Sequence, residues 1–308
     1  MTTFAPPVAR VKESTTSSGG RGGSVAWMAL PAFAMFVAFG IVPLFGVLLL
    51  SFTTWNGISP TIELTGTTSW KATLSDPALP HALWVTFEIM VLSWLVQTPM
   101  SILLGVFLAA HKRYRGFLAV LYFIPLLLSS AAIAITYKAL LDPNFGIGSG
   151  LGLEFLNQDW LGDSTLAMAV LIFVVSWQFI PFHSLIYQGA VRQIPQSMYE
   201  ASQIDGAGRV RQFISITLPQ LKYTIITSST LMVVGSLTFF DLIYVLTAGG
   251  PGDATNALAL EMYRQGFQAS LMGPASAIAV IIVLVGLGLA LLLRRLGGRA
   301  DESMLEGA

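Results

Sequence analysis

"EASQIDGAGRVRQFISITLPQLK" (Glu200–Lys222) is a charged, glycine-punctuated segment set between long apolar runs. Its reading depends on what surrounds it. Of 308 residues, 54% are hydrophobic and only 10% are charged, and mean hydropathy is +0.72. Soluble domains carry roughly 25% charged residues, so the deficit points to a membrane. A formal net charge of zero argues against nucleic acid as a partner. There is no cysteine, which excludes disulfide frameworks, zinc–thiolate sites and thiol nucleophiles.

A hydrocarbon core about 30 Å thick needs about 20 apolar residues of helix. Six stretches qualify: Ser24–Phe52, Leu83–Ala110, Phe117–Leu141, Thr165–Ala190, Tyr223–Leu246 and Pro274–Leu293. The expected fold is therefore all-α, a polytopic membrane protein with six transmembrane helices over residues 24–293. A polar tail, Met1–Gly23, is expected to be disordered, and residues 294–308 form a second tail. The first span is too long for a signal-peptide core and has no small-residue cleavage site.

Basic residues orient the spans. Arg10, Lys12 and Arg21 lie in the first tail, and Lys112, Arg113 and Arg115 follow span two. Arg192, Arg209, Arg211 and Lys222 follow span four, and Arg294, Arg295 and Arg299 close the chain. Only Lys71, Lys138 and Arg264 remain for the other side. Both termini and Glu200–Lys222 are thus expected in the cytoplasm. The connections Thr53–Ala82, Asp142–Ser164 and Thr247–Gly273 are expected outside, with the whole chain in the cell membrane.

Between spans four and five the chain is expected to form a helix–glycine–helix hook: Pro195 breaks the chain, and Ser197 with Glu200 fits an [ST]xx[DE] capping box. A short helix is expected to run to about Asp205. Gly206 then releases the backbone, and a second helix reaches Leu218, ended by Pro219. Met198, Ala201, Ile204, Phe213 and Ile216 suggest one buried face. Local chemistry leaves two readings of Glu200, a helix cap or a carboxylate offered to a basic partner. Arg209 and Arg211 read as anchors on the positive side.

Other chemistries find little support. "FGIGSGLG" (Phe145–Gly152) lacks the strand and spacing of a nucleotide fingerprint and reads as a loop, and no GxxxxGK[ST] exists. An intramembrane enzyme would need a paired acid and base or a metal set such as HExxH, and neither is present. A secondary transporter would show an inverted repeat or a buried charge pair. Three ionisable groups do fall within spans: Glu88, His183 and Asp241. Glu88 is near an outer end and reads as snorkelling to the interface. His183 has no carboxylate neighbour in sequence, which disfavours a proton relay. A sugar site would need aromatic faces and hydrogen-bonding groups at mid-membrane. Trp177, Gln178, Phe182, Ser236, Thr238, Phe239 and Phe240 offer them on spans four and five.

Glu200-Ala201-Ser202, three residues, Gly206, nine residues, then Ile216-x-Leu218-Pro219 resembles the EAA loop of binding-protein-dependent ATP-binding cassette (ABC) importers. Ser202 stands where the family has a second alanine. "IDGA" (Ile204–Ala207) is similar to the sugar-importer branch. The likeness continues in "LSFTTWNG" (Leu50–Gly57), "YFIP" (Tyr122–Pro125), "LLDPNFG" (Leu140–Gly146), "WQFIPF" (Trp177–Phe182) and "FFDLIYVLTAGGPGDAT" (Phe239–Thr255). Tyr137 departs from the family's usual tryptophan.

The resemblance implies a type I ABC importer permease, similar to the first permease subunit of maltose and glycerol-phosphate systems. It implies that residues 195–219, with Glu200, Ala201, Ser202, Asp205, Gly206, Ile216, Leu218 and Pro219, couple to an ATPase subunit. The implied partners are a second homologous permease, two ATPases and an extracytoplasmic solute-binding protein. ATP and magnesium would be bound by the ATPases, with no cofactor, metal or catalytic residue in this chain. The implied cargo is a sugar, with a polyol phosphate behind it. The family places ligand contacts on spans four and five, and it suggests a structural role for Asp241. The bulk of Phe179 and Phe239 leaves open that this subunit forms no stable site.

Overall fold

The computed structural model describes residues 27–110, 113–153 and 156–297. The expected tail Met1–Gly23, and Lys112 and Arg299 among the orienting cations, lie outside the described residues. Described elements are helical, apart from a single antiparallel bridge between Thr53 and Leu64. Contacts divide the chain into two units, Met1–Gly46 and Val47–Ala308.

The described part of the first unit belongs to α1 (Trp27–Leu50), which is apolar and buries no residue between Trp27 and Phe36. A π turn at Val37–Ile41 precedes Pro43. A proline ring collides with the carbonyl four residues back, and the widened π turn sits where that collision would fall.

The second unit is built on two long helices, α3 (Ala78–Ala109) and α7 (Ser164–Val191), behind the short α2 (Thr68–Ser75). Asp163 starts α7 by accepting from the amides of Thr165 and Leu166, both at 2.9 Å, which satisfies two orphan donors. The two helices meet along small residues of α3, namely Ser101, Gly105 and Ala109, each four apart and buried. A side-chain carbon at Gly105 would lie 2.7 Å from Tyr187 Cβ and 2.9 Å from the Ser184 carbonyl. Such close approach is how membrane helices gain dispersion energy where lipid removes the hydrophobic drive. The last carbonyls of α3 are closed from α7. Gln188 donates to Leu108 O at 2.9 Å and Arg192 to Ala109 O at 3.4 Å. Arg192 is thus a helix cap as well as a cation on the expected cytoplasmic side.

Among the described residues, four helices are long and apolar enough to cross a membrane, and a bent pair taken as one span makes five. The expected span Phe117–Leu141 is that pair, α4 (Arg113–Leu127) and α5 (Ser130–Leu140), turned by 95°. Ser129 accounts for the turn: it is extended, and its hydroxyl accepts from Ala132 N at 3.2 Å to cap a new helix. The connection that follows, expected outside, holds α6 (Ile147–Leu151).

The expected span Tyr223–Leu246 is also broken, into α11 (Lys222–Ser236) and α12 (Asp241–Leu246). The hook between α7 and α11 carries α8 (Gln196–Ile204), α9 (Arg209–Gln212) and α10 (Leu218–Gln220). At the break, Ser236 Oγ bonds Val233 O at 2.7 Å and Thr238 Oγ1 bonds Gly235 O at 2.9 Å. Side chains that bond their own backbone compete with helix propagation. Six uninterrupted spans are therefore a simplification: Ser129 and Leu237–Phe240 are joints. After the break come α13 (Leu258–Tyr263) and α14 (Met272–Gly297).

The main core gathers Val85 and Ile89 of α3, Ile133 of α5, Leu171 and Val175 of α7, and Ile243 and Leu246 of α12. Polar clamps cross between helices. Trp94 Nε1 donates to Ser229 Oγ at 2.8 Å, and His183 Nδ1 pairs with Ser228 Oγ at 2.9 Å. His183 is 4% exposed and ties α7 to α11, as buried membrane polar groups are expected to do.

Candidate functional site

The hook is two short helical arms. Pro195 is extended and occupies the N-cap of α8 (Gln196–Ile204), with no side-chain cap. The expected capping box does not form. Pro195 takes the N-cap position itself and the helix starts at Gln196, so Ser197 falls inside the first turn. Glu200 is therefore not a capping residue, and no hydrogen bond or ion pair within the described residues engages its exposed carboxylate. Of the two readings of Glu200, the cap is removed.

The turn after α8 is as expected and better defined. Asp205 is the C-cap and Gly206 follows at φ +76°. Ala207 N bonds Ser202 O at 2.9 Å and Gly206 N bonds Gln203 O at 3.0 Å. This pair of bonds is a Schellman motif, which needs a left-handed residue at the glycine position.

The second arm begins with α9 (Arg209–Gln212), widens into a π turn at Phe213–Thr217, and continues as α10 (Leu218–Gln220). Pro219 does not end it. As at Pro43, a π turn precedes the proline and relieves its clash with the carbonyl of Ser215. The chain then turns at Leu221, which is fully buried.

Hydrogen bonds clamp the arms together. Gln212 Nε2 donates to Ser202 Oγ at 2.8 Å and to Tyr199 O at 3.3 Å, and Tyr199 Oη meets Thr217 Oγ1 at 2.9 Å. Ser202, a small residue in sequence terms, is a fastening point. The signal that could have found it is the Ser202/Gln212 pair flanking the glycine turn.

Because the polar side faces inward, the apolar side of the first arm does not. Of the face expected to be buried, Phe213 and Ile216 are half-buried, whereas Met198, Ala201 and Ile204 are exposed, Ile204 at 88%. Val210 is likewise exposed, at 73%. Behind the hook, a cleft of about 590 Å³ is lined by Val106, Ala109, Arg192, Tyr199, Arg209 and Phe213.

The seven expected path residues fall into different surroundings. Trp177 lines an apolar groove of about 570 Å³ with Leu104, Phe107, Leu121 and Tyr122, and Tyr137 packs edge-on against it at 5.6 Å. Phe182 is partly exposed, edge-on to His183 at 5.1 Å. Gln178 is buried, donates to Ser130 Oγ at 3.1 Å, and leaves its Oε1 without a protein partner. Ser236 is buried and Thr238 exposed, each bonded to its own backbone. Phe239 stacks on Phe179 at 5.5 Å, while Phe240 turns to Tyr244 and Tyr263. Glu88 is half-buried in a groove with Trp84, Ser164 and Thr165.

Residues 101–301 match the family described as binding-protein-dependent transport system inner membrane component. A probable ABC transporter permease protein of Pyrococcus horikoshii is 34% identical over 267 residues, 84% of this chain and 89% of that protein. The multiple sugar-binding transport system permease protein MsmF of Streptococcus mutans is 29% identical over 81% of this chain and 86% of its own length. Among solved structures, a chain of a bacterial alginate ABC transporter, in complex with an alginate pentasaccharide-bound periplasmic protein, superposes with a TM-score of 0.77. It does so at 22% identity, over 91% of this chain and 95% of that one.

Proposed function

The chain belongs to the family of binding-protein-dependent transport system inner membrane components, and we propose that it is a permease subunit of an ATP-driven importer for a di- or oligosaccharide. Relatives and fold neighbours that handle multiple sugars and alginate support the carbohydrate class. The observation that carries the coupling role is the hook. A glycine-locked turn, cross-braced by Gln212, presents an exposed apolar face and the unpaired Glu200 carboxylate. A free apolar surface beside a free charge suits a protein partner.

In this reading the hook seats in an ATPase subunit. One ATPase serves this chain and another a second, homologous permease, while an extracytoplasmic binding protein delivers the sugar. ATP and magnesium belong to the ATPases. A partner shifts a conformational equilibrium only by its differential affinity for the two states. A braced hook can transmit that difference because it does not deform, and the joints at Ser129 and Leu237–Phe240 give the spans places to bend.

Purifying the tagged chain from membranes and identifying what accompanies it tests the reading, together with uptake of labelled oligosaccharides. Sugar transport by this chain alone in liposomes would overturn it. Glu200→Lys is expected to leave the chain in the membrane and weaken ATPase recovery. Reversing one partner of a charge pair costs about 2 kcal/mol or more, a loss of about thirtyfold in affinity. Glu200→Gln should be milder. Normal assembly of Glu200→Lys would remove the ion pair. For orientation, a reporter near Gly252 is expected to read external and one near Arg115 cytoplasmic; a cytoplasmic reading at Gly252 would contradict the placement of the outer loops.

A further inference from the structure

Four aromatic rings lead away from the break between α11 and α12. Phe240 and Tyr244 lie four residues apart at α12, and Tyr263 and Phe267 four apart where α13 passes into a π turn, Arg264–Gln268. Residues at this spacing share a helix face. Rings are stacked within each pair, at 5.4 Å and 14° for Phe240–Tyr244 and at 5.4 Å and 25° for Tyr263–Phe267. Between pairs, Tyr263 stands 4.8 Å from Phe240 and 5.2 Å from Tyr244.

This ladder is graded in exposure. Phe240 and Tyr263 rest half-buried against the main core, Tyr244 is 38% exposed and Phe267 is 67% exposed. Two charged residues adjoin the rings in sequence: the exposed Asp241, next to Phe240, and Arg264, next to Tyr263 and paired with Asp253 at 2.7 Å. A set of rings serving only as core would be closed at both ends. This one is closed at Phe240 and Tyr263 and open at Phe267.

We propose that Phe240, Tyr244, Tyr263 and Phe267 form a stacking track for pyranose rings, along which an oligosaccharide passes from the outer surface to the break at Leu237–Phe240. A pyranose presents apolar C–H faces rimmed by hydroxyls. Aromatic faces edged by the phenol hydroxyls of Tyr244 and Tyr263 match both features. Several similar rings in series offer many shallow sites instead of one deep well, which conduction requires. The track rests on the carbohydrate reading above and adds Tyr244, Tyr263 and Phe267 to it.

The test uses cells carrying the complete transporter, with labelled maltotriose, N,N′-diacetylchitobiose and alginate trisaccharide as probes. Tyr244→Leu and Phe267→Leu keep apolar bulk and remove the ring. A stacking contact worth about 1 kcal/mol corresponds to about fivefold in uptake, and the double variant should lose more than either single one. Membrane abundance and ATPase recovery should stay at wild-type levels, and Phe267→Trp should retain uptake. Undiminished uptake by the double leucine variant would overturn the track. Loss of the second permease from the purified complex would also overturn it and make the rings a subunit interface. If the wild-type transporter takes up none of the three probes, the carbohydrate reading itself fails, and the track with it.

Discussion

Gly206→Val is expected to abolish coupling while leaving the chain in the membrane. Gly206 sits at φ +76° with both Schellman bonds closing around it. An L-residue in the left-handed region costs about 1–2 kcal/mol, and a β-branched side chain is a worse fit there still. Nothing lies within 4 Å of the added carbon, so the penalty is purely backbone and the turn is free to rearrange. Once it does, α8 and α9 lose the angle at which Gln212 reaches Ser202. ATPase recovery and sugar uptake should both fall more than tenfold, since losing a fixed pose and its charge contact exceeds about 1.4 kcal/mol. Gly206→Ala should be intermediate and Gly206→Asn mild, because asparagine tolerates this region. Measuring abundance, ATPase recovery and uptake side by side separates coupling from folding. A valine variant that couples normally would show that the turn's geometry is not what the partner reads.

Gly105→Leu should have the opposite signature, loss of the folded chain itself. At Gly105 the neighbours are Tyr187 Cβ, the Ser184 carbonyl and the Gln188 amide, all within 3.0 Å of an added carbon. Two of the three are backbone and cannot swing aside, so even alanine forces α3 and α7 apart. Overpacking costs about 1–3 kcal/mol, and separation also breaks the caps from Gln188 and Arg192. In detergent, Gly105→Ala should lower the apparent unfolding midpoint by about 5–10 °C. Leucine should remove most of the protein from the membrane. Gly189 on the facing helix α7 is the control, because nothing lies within 4 Å of its added carbon. Gly189→Ala should be neutral or stabilising by about 0.5–1 kcal/mol. Equal tolerance at both positions would refute the close crossing.

Much of this was legible along the chain. Apolar runs alone locate the helices Ala78–Ala109, Ser164–Val191 and Met272–Leu296 to within a few residues, because transfer into lipid sums over consecutive side chains and needs no partner. The hook announced itself through spacing, and Gly206 through the one backbone region that glycine alone enters freely. These are local properties, carried by neighbours in sequence.

What the chain could not reveal depends on competition or on distance. Ser129 and Thr238 are unremarkable letters in apolar stretches, yet their hydroxyls bind backbone at places where a span would otherwise continue. Hydropathy cannot see this, since a capped joint and a straight helix have the same composition. The capping box at Ser197 failed because Pro195 began the helix earlier. The buried side of the hook was inferred from apolarity, but Tyr199 and Gln212 hold the arms by hydrogen bonds and leave Ile204 outside. The contact of Gly105 with Tyr187, and the meeting of Phe240 with Tyr263, join residues far apart in sequence. The sequence by itself thus determined where the long apolar helices run and where the Gly206 turn falls, through sums and local backbone preference. Only the tertiary structure decided which faces stay open and where the spans bend, because those are set by contacts between residues that meet only after folding.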